Sequence, residues 1–276
     1  MLNSQSNAVG VRSARFTPVS DYFRIPFHEN TGADLVMKGQ VNEVAFSHTV
    51  TPLGSPGANV WTDVDGRWTA EGDNSADLSA LSGVEDALNL ERYRAGGVLF
   101  MLDVSIPSAG RVVDDVEHGL ISWGRTTGVD GGWELVLKNG TNVNLQLKLR
   151  ALDNSSVIIQ KAPTLDARNA LWIWMDQVNP ALSLFGVTSV LADATSTPTT
   201  QTDSQPLTMP SGWGVLFGAT QSVGPAAIEL LNATNMVASI HDLWVVGFKK
   251  PVSTTKIGLI VKDFVDNEYE DMIHIP

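Results

Sequence analysis

The chain contains no cysteine. Disulfide scaffolds, thiol catalysis and thiolate metal sites are excluded with it. Charge is also scarce, at 17% of residues, and it is one-sided: 18 Lys and Arg stand against 30 Asp and Glu, for a formal net charge of -12. The densest basic stretch is the pair Lys249-Lys250 before Pro251. A chain of this charge repels the phosphate backbone and anionic lipid surfaces alike, so neither nucleic acid nor a membrane is expected as a partner. No run reaches the ~18 apolar residues of a membrane span. The opening Met1–Asn7 carries neither a basic start nor an apolar stretch, so no secretion signal is expected.

What is present is apolar bulk. Hydrophobic residues make up 43% of 276 residues, enough for one large core. From Val98 the chain reads as short strands separated by turns. Val98–Ile106 is a nearly continuous apolar run closed by Pro107, the pattern of a buried strand. Trp133, Leu135 and Leu137 then alternate with Glu134 and Lys138, and Val143, Leu145, Leu147 and Leu149 alternate with Asn144, Gln146, Lys148 and Arg150. Asn139-Gly140 between two period-two runs predicts a hairpin turning on that dipeptide. Further strands are expected at 22–27, 41–50, 119–123, 156–160, 171–176, 182–187, 214–219, 227–231, 238–248 and 257–261. The spacing of Leu81, Val84 and Leu88, with Ser82 and Glu85 as a capping box and Gly96-Gly97 as the stop, predicts one helix over 81–94. Many strands and almost no helix give the expected fold class: all-β, a two-sheet antiparallel jelly-roll sandwich with one short helix. Residues 1–22 read as an N-terminal arm, 23–250 as the sandwich body, and 251–276 as a C-terminal strand followed by an acidic arm.

The strand series resembles the concanavalin A-like lectin/glucanase superfamily in its laminin-G-like form, of the type found in bacteriophage virion proteins. The resemblance lies in Val98–Ile106, in Gly119-Leu-Ile-Ser-Trp123, in Gly131-Gly-Trp-Glu-Leu-Val-Leu-Lys-Asn-Gly140 with its return strand, and in Ala238-Ser-Ile-His-Asp-Leu-Trp-Val-Val246 as the closing strand. It covers roughly residues 98–250 and implies the sandwich fold. The Trp-His pair that precedes the central strand in such domains is replaced here by Asn169-Ala-Leu-Trp172.

Glucanases of this superfamily carry carboxylates at alternate positions of one strand, where two can flank a glycosidic bond. No such triplet occurs. The nearest acidic cluster is Asp114-Asp115-Val116-Glu117, in a polar stretch that reads as a loop. The five histidines form no paired metal motif. Asp63, Asp65 and Gly66 begin like a calcium loop, but position 74 is Asn where the twelfth-position Glu belongs, so a turn is the reading. No cofactor and no catalysis are expected. Trp172 and Trp174 lie two apart on one strand face. Exposed, they form a stacking platform for sugar rings; buried, they are core or a subunit interface. Trp61, Trp68 and Trp213, near Gly-rich stretches, are candidates for a rim that meets a glycan or a partner.

The termini supply the remaining candidates. Arg12 and Arg15 stand in an N-terminal stretch without acids, and Glu268, Glu270 and Asp271 precede apolar Ile273 and Ile275 at the C-terminus. Arms of this kind order on a neighbour. They favour a virion structural protein, a phage capsid decoration or tail-associated subunit assembled in the host cytoplasm, with other virion subunits as partners and homo-oligomers expected. The alternative is a carbohydrate-binding, lectin-like module; a glycoside hydrolase ranks below both.

Overall fold

The computed structural model describes residues 20–26, 36–42, 44–49, 68–69, 76–124, 132–150, 156–178, 184–186, 214–218, 220–224, 227–229 and 238–266. The strands, in chain order, begin with β1 (Ser20–Pro26), β2 (Val36–Val41), β3 (Val44–Thr49), β4 (Trp68–Thr69), β5 (Ala76–Asp77), β6 (Gly97–Ser105), β7 (Glu117–Gly124) and β8 (Gly132–Asn139). They continue with β9 (Val143–Arg150), β10 (Ser156–Lys161), β11 (Arg168–Asp176), β12 (Leu184–Gly186), β13 (Val215–Phe217), β14 (Thr220–Gly224), β15 (Ala227–Glu229) and β16 (Ser239–Phe248). Two helices, α1 (Val84–Leu88) and α2 (Thr254–Asp266), and a 3-10 turn at Leu90–Tyr93 complete the set.

The strands form an antiparallel two-sheet jelly-roll sandwich. Sheet A runs β12-β11-β6-β16-β1-β2-β3, with β4 also on β16. Sheet B runs β10-β9-β8-β7-β13-β5. The long strands follow from composition. Gly97–Ser105 is rich in Val, Leu and Phe, which suit a pleated and buried surface, and it lies at the middle of sheet A between β11 and β16. Its odd and even residues serve two different cores. Val98, Phe100, Leu102 and Val104 face sheet B, whose inner rows include Ile121, Trp133, Leu135, Leu147 and Phe217. Leu99 and Met101 face the other way, with Trp172, Trp174, Trp244, Val246 and Phe248.

That second apolar face is covered by α2. Ile257, Ile260, Val261 and Phe264 recur at helical spacing and bury themselves on it. This corrects the expected strand at 257–261. The Ile-Gly-Leu-Ile-Val run has strand-like composition, but its apolar period continues to Phe264 at 3.6 residues per turn. The indoles fit because glycines make room. The ring of Trp172 occupies the space that a Cβ on Gly186 would take, 2.5 Å away. Four buried helix side chains, at roughly 1.5–3 kcal/mol each, make α2 an integral part of the body and not an arm.

Other expectations shift by local chemistry. β1 starts at Ser20 and pairs with β16 over its whole length, so strand begins within the stretch expected to be arm. The expected strand at 41–50 is a hairpin, β2 with β3, turning at Asn42, whose φ is 49°. The expected helix at 81–94 is broken: α1 begins after a left-handed Gly83 with no side-chain cap, and Asn89 turns extended and accepts from Glu91 N at 3.1 Å to start the 3-10 turn. In the β8–β9 hairpin Asn139 pairs with Val143, so the turn is Gly140–Asn142 and does not centre on Asn-Gly. The reason is that Asn139 is buried. Its amide donates to Val112 O and Asp114 Oδ1 at 2.8 and 2.9 Å and accepts from Arg111 Nη1 at 2.8 Å, which staples the β6–β7 loop to the hairpin.

Truncating Ile260, which is 2% exposed, tests the covering helix. Ile260→Ala should lower the unfolding free energy by about 2–4 kcal/mol in urea titration and red-shift the tryptophan emission. A loss below about 1 kcal/mol would place α2 off the sheet.

Candidate functional site

Of the outer faces of the two sheets, that of sheet A is apolar over most of its area and is sealed by α2. Trp172 and Trp174 lie there at 0% exposure. The sugar platform considered for them is therefore corrected: both are core, because the helix supplies their second wall. Trp68 belongs to β4, and its side chain lies outside the described residues. Trp61, Trp213, Arg12, Arg15, Glu268, Glu270, Asp271, Ile273 and Ile275 also lie outside the described residues, as do Asp63 and Asp65.

At one end of the outer face of sheet A the apolar surface gives way to charge. Asp103 on β6 and Asp242 on β16 are direct cross-strand partners, each 1% exposed. Two carboxylates so placed repel each other. Each is clamped by its own arginine. Arg24 Nε lies 3.2 and 3.1 Å from the two oxygens of Asp242, and Arg168 Nε lies 3.0 and 2.9 Å from those of Asp103. The Arg24 guanidinium also lies over Trp244, 4.4 Å from the ring centroid. Ser105 Oγ and His241 Nε2 meet at 3.1 Å beside this quartet. Forked guanidinium contacts occupy both oxygens of each acid, the geometry of a structural ion-pair pair. The quartet joins β1, β6, β11 and β16.

The outer face of sheet B is different. The sequence alternation that buries Leu135, Leu147 and Ile159 turns their neighbours outward. Register then sets those neighbours in rows: Ser122, Glu134 and Lys148; Val136, Gln146 and Gln160; and Glu117, Lys138 and Asn144. Gln146 Nε2 donates to Gln160 Oε1 at 2.8 Å. Lys148 pairs with Glu117, two strands away, and so reaches diagonally over the row that holds Val136. Burial is graded. Ser122, Leu216, Glu134, Val136 and Gln146 are buried, while Glu117, Lys138, Asn144, Lys148 and Gln160 around them remain partly open. Of the acids singled out in 114–117, Asp115 is left-handed at φ 57° and leaves the strand, whereas Glu117 joins this polar face. The two carboxylates therefore do not share one strand face.

A third cluster lies where α1 meets sheet A. Tyr93 Oη is 2.8 Å from Ala87 O and 3.2 Å from Asp21 Oδ2, and Lys249 Nζ is 2.8 Å from Asp21. Gly247 leaves the space that the Tyr93 ring fills, since a Cβ there would lie 2.2 Å from it. Burial, then the adjacent Asp21 charge and hydrogen bond, raise the Tyr93 pKa above its ordinary 10.0.

The fold has solved counterparts. The binding domain of botulinum neurotoxin serotype D/C superposes with a TM-score of 0.52 at 10% identity, over 88% of this chain and 52% of that one. The serotype D binding domain gives a TM-score of 0.49 at 11% identity over 88% and 51%. The CBM40 module of Ruminococcus gnavus IT-sialidase, solved with α2,3-sialyllactose, gives 0.45 at 13% identity over 69% and 93%. The chain thus spans about half the length of the neurotoxin domains. No family model matches it, and no curated protein matches it in sequence.

Two outcomes follow. Arg24→Met, which strands the Asp242 carboxylate in the interior, should cost about 3–5 kcal/mol in urea unfolding, and adding Asp242→Leu should recover much of it. A single variant within about 0.5 kcal/mol of wild type would contradict a closed ion pair. In an alkaline titration followed at the phenolate absorbance band, Tyr93 should stay protonated through the ordinary tyrosine range. Because its folded pKa lies above the unfolded value, its stabilisation is complete below pH 10.0 and is lost as pH rises beyond it. Full ionisation of all three tyrosines without unfolding would contradict this.

Proposed function

We propose that this chain is a lectin-like, carbohydrate-binding module of the concanavalin A-like kind, acting by recognition and not by catalysis, with the outer face of sheet B as its ligand surface. One observation carries the reading: that face bears a register-fixed array of amide and charged side chains, with Gln160, Asn144, Lys138, Lys148 and Glu117 partly open around a buried Gln146, while helix α2 covers the apolar outer cluster of sheet A. Planar amides both donate and accept, which is what vicinal sugar hydroxyls require. A rigid sheet holds them at fixed spacing, so little conformational entropy is lost on binding. The net charge of -12 favours a neutral, hydroxyl-rich ligand over a polyanion. Likeness to a neurotoxin binding domain supports the sandwich on which this rests and favours this reading over a virion docking subunit. The arm residues that motivated the virion reading, Arg12, Arg15, Glu268, Glu270, Asp271, Ile273 and Ile275, lie outside the described residues.

A glycan array probed with the full chain tests this, with hits followed by calorimetry. Asn144→Ala and Gln160→Ala should each weaken a hit about five- to tenfold without changing the unfolding midpoint much, since a neutral ligand loses a hydrogen bond worth roughly 1–1.5 kcal/mol. An array without hits, or hits indifferent to both substitutions, would overturn the assignment.

A further inference from the structure

The two sheets end in four edge strands: β3 and β12 in sheet A, β10 and β5 in sheet B. Exposed edges offer unpaired backbone groups to any extended chain, and proteins blunt them by shortness, charge, proline or a covering element. Three of the four are blunted. β5 has two residues and β12 three. β10 ends in Lys161 and packs against β11 and β12 where the sandwich closes. β3 is neither short nor charged nor interrupted by proline, and among the described residues no element covers it. It is six residues long, Val-Ala-Phe-Ser-His-Thr, with no proline and no Lys, Arg, Asp or Glu. Among the described elements, its extensive contacts are with β2 alone.

The strand is also held ready. Phe46 stacks on Phe23 in the core, with centroids 6.1 Å apart, and fills the space beside Gly39, where a Cβ would lie 2.6 Å from its ring. That anchor fixes register and face. The hairpin closes at Val41 and Val44 with two residues between them, which makes that pair a hydrogen-bonded one. Hydrogen-bonded and open pairs alternate along the ladder, so Ala45, Ser47 and Thr49 direct their N–H and C=O groups away from β2. Ala45 and Ser47 are exposed, and Val44 is 69% exposed beside them.

We propose that β3 is a self-association edge, and that two copies of this chain join sheet A to sheet A through antiparallel β3 strands about a two-fold axis. The pairing is self-complementary in register. Ser47 meets its own symmetry mate and Ala45 meets Thr49 of the other copy, so every outward backbone group finds a partner. It is self-complementary in charge as well. A two-fold pairing sets like against like, and in a chain of 30 acids this strand carries no formal charge to repel its copy. Side chains of the outward-bonding positions are small, so the two backbones can close to strand spacing. The dimer would double any ligand face on sheet B and raise avidity, but it does not depend on that face being a glycan site.

Sedimentation velocity of the full chain over about 1–200 μM tests the proposal. Wild type should pass from monomer to dimer with rising concentration. Ser47→Lys places two ammonium groups at the axis, and Ser47→Pro removes the outward N–H there; each should raise the dimer dissociation constant about tenfold or more. Neither touches the bonds to β2, and near-ultraviolet circular dichroism should confirm that both fold. Ala109→Lys, the same charge change on an exposed loop, should dimerise like wild type. A wild type that stays monomeric throughout would overturn the proposal, as would a dimer that both Ser47 variants leave intact. No sugar enters the experiment, so its failure leaves the glycan reading standing.

Discussion

Strand β6 is buried on both faces, and the rest of the molecule is arranged around that constraint. A strand buried at eight of its nine positions needs two walls. One is sheet B, reached through the main core. The other is helix α2, which closes over Trp172, Trp174 and Trp244. Once both walls are in place, sheet A has no open central face. At its charged end Arg168 is the partner that reaches the surface, while Arg24, Asp103 and Asp242 stay buried. The Asp103–Arg168 and Asp242–Arg24 pairs mark that end, where helix cover stops and the strands switch from apolar to paired charge. The proposals place recognition on the outer face of sheet B and assembly on β3, the edge left without cover among the described residues.

How much of this was legible in the sequence depends on whether the signal is local. The 133–150 hairpin was legible because period two persists over both runs, and its alternation also foretold the polar outer row that becomes the candidate site. β6 was legible from an apolar run of strand length before a proline. The β8–β9 turn was misread because Asn-Gly is a strong local cue, whereas the force that moves it is tertiary: Arg111 and the β6–β7 loop capture Asn139. The C-terminal helix was misread because β-branched residues crowd 257–261. Its true period needed Phe264 to be counted with them. The fate of Trp172 and Trp174 followed from that same misreading, since without the helix their face has no cover. Arg24 and Asp242, 218 residues apart, left no local trace at all.

The functional account keeps the binding half of the sequence expectation and moves its location. The stacking platform on β11 is gone, and an amide-rich face on β7 to β10 takes its place. The described body includes Ser20–Tyr22 and α2, both within stretches expected to be outside it. A sealed sheet, a polar sheet and an uncharged edge together describe a module that presents one surface outward and has a second means of multiplying it.

Hydrogen–deuterium exchange of the full chain, with and without a saturating glycan drawn from the array, tests the central claim most directly. The account predicts added protection in peptides spanning 132–150 and 156–161, and unchanged exchange in 168–176 and 254–266. Protection confined to β11 and α2, with none on β8 to β10, would contradict it.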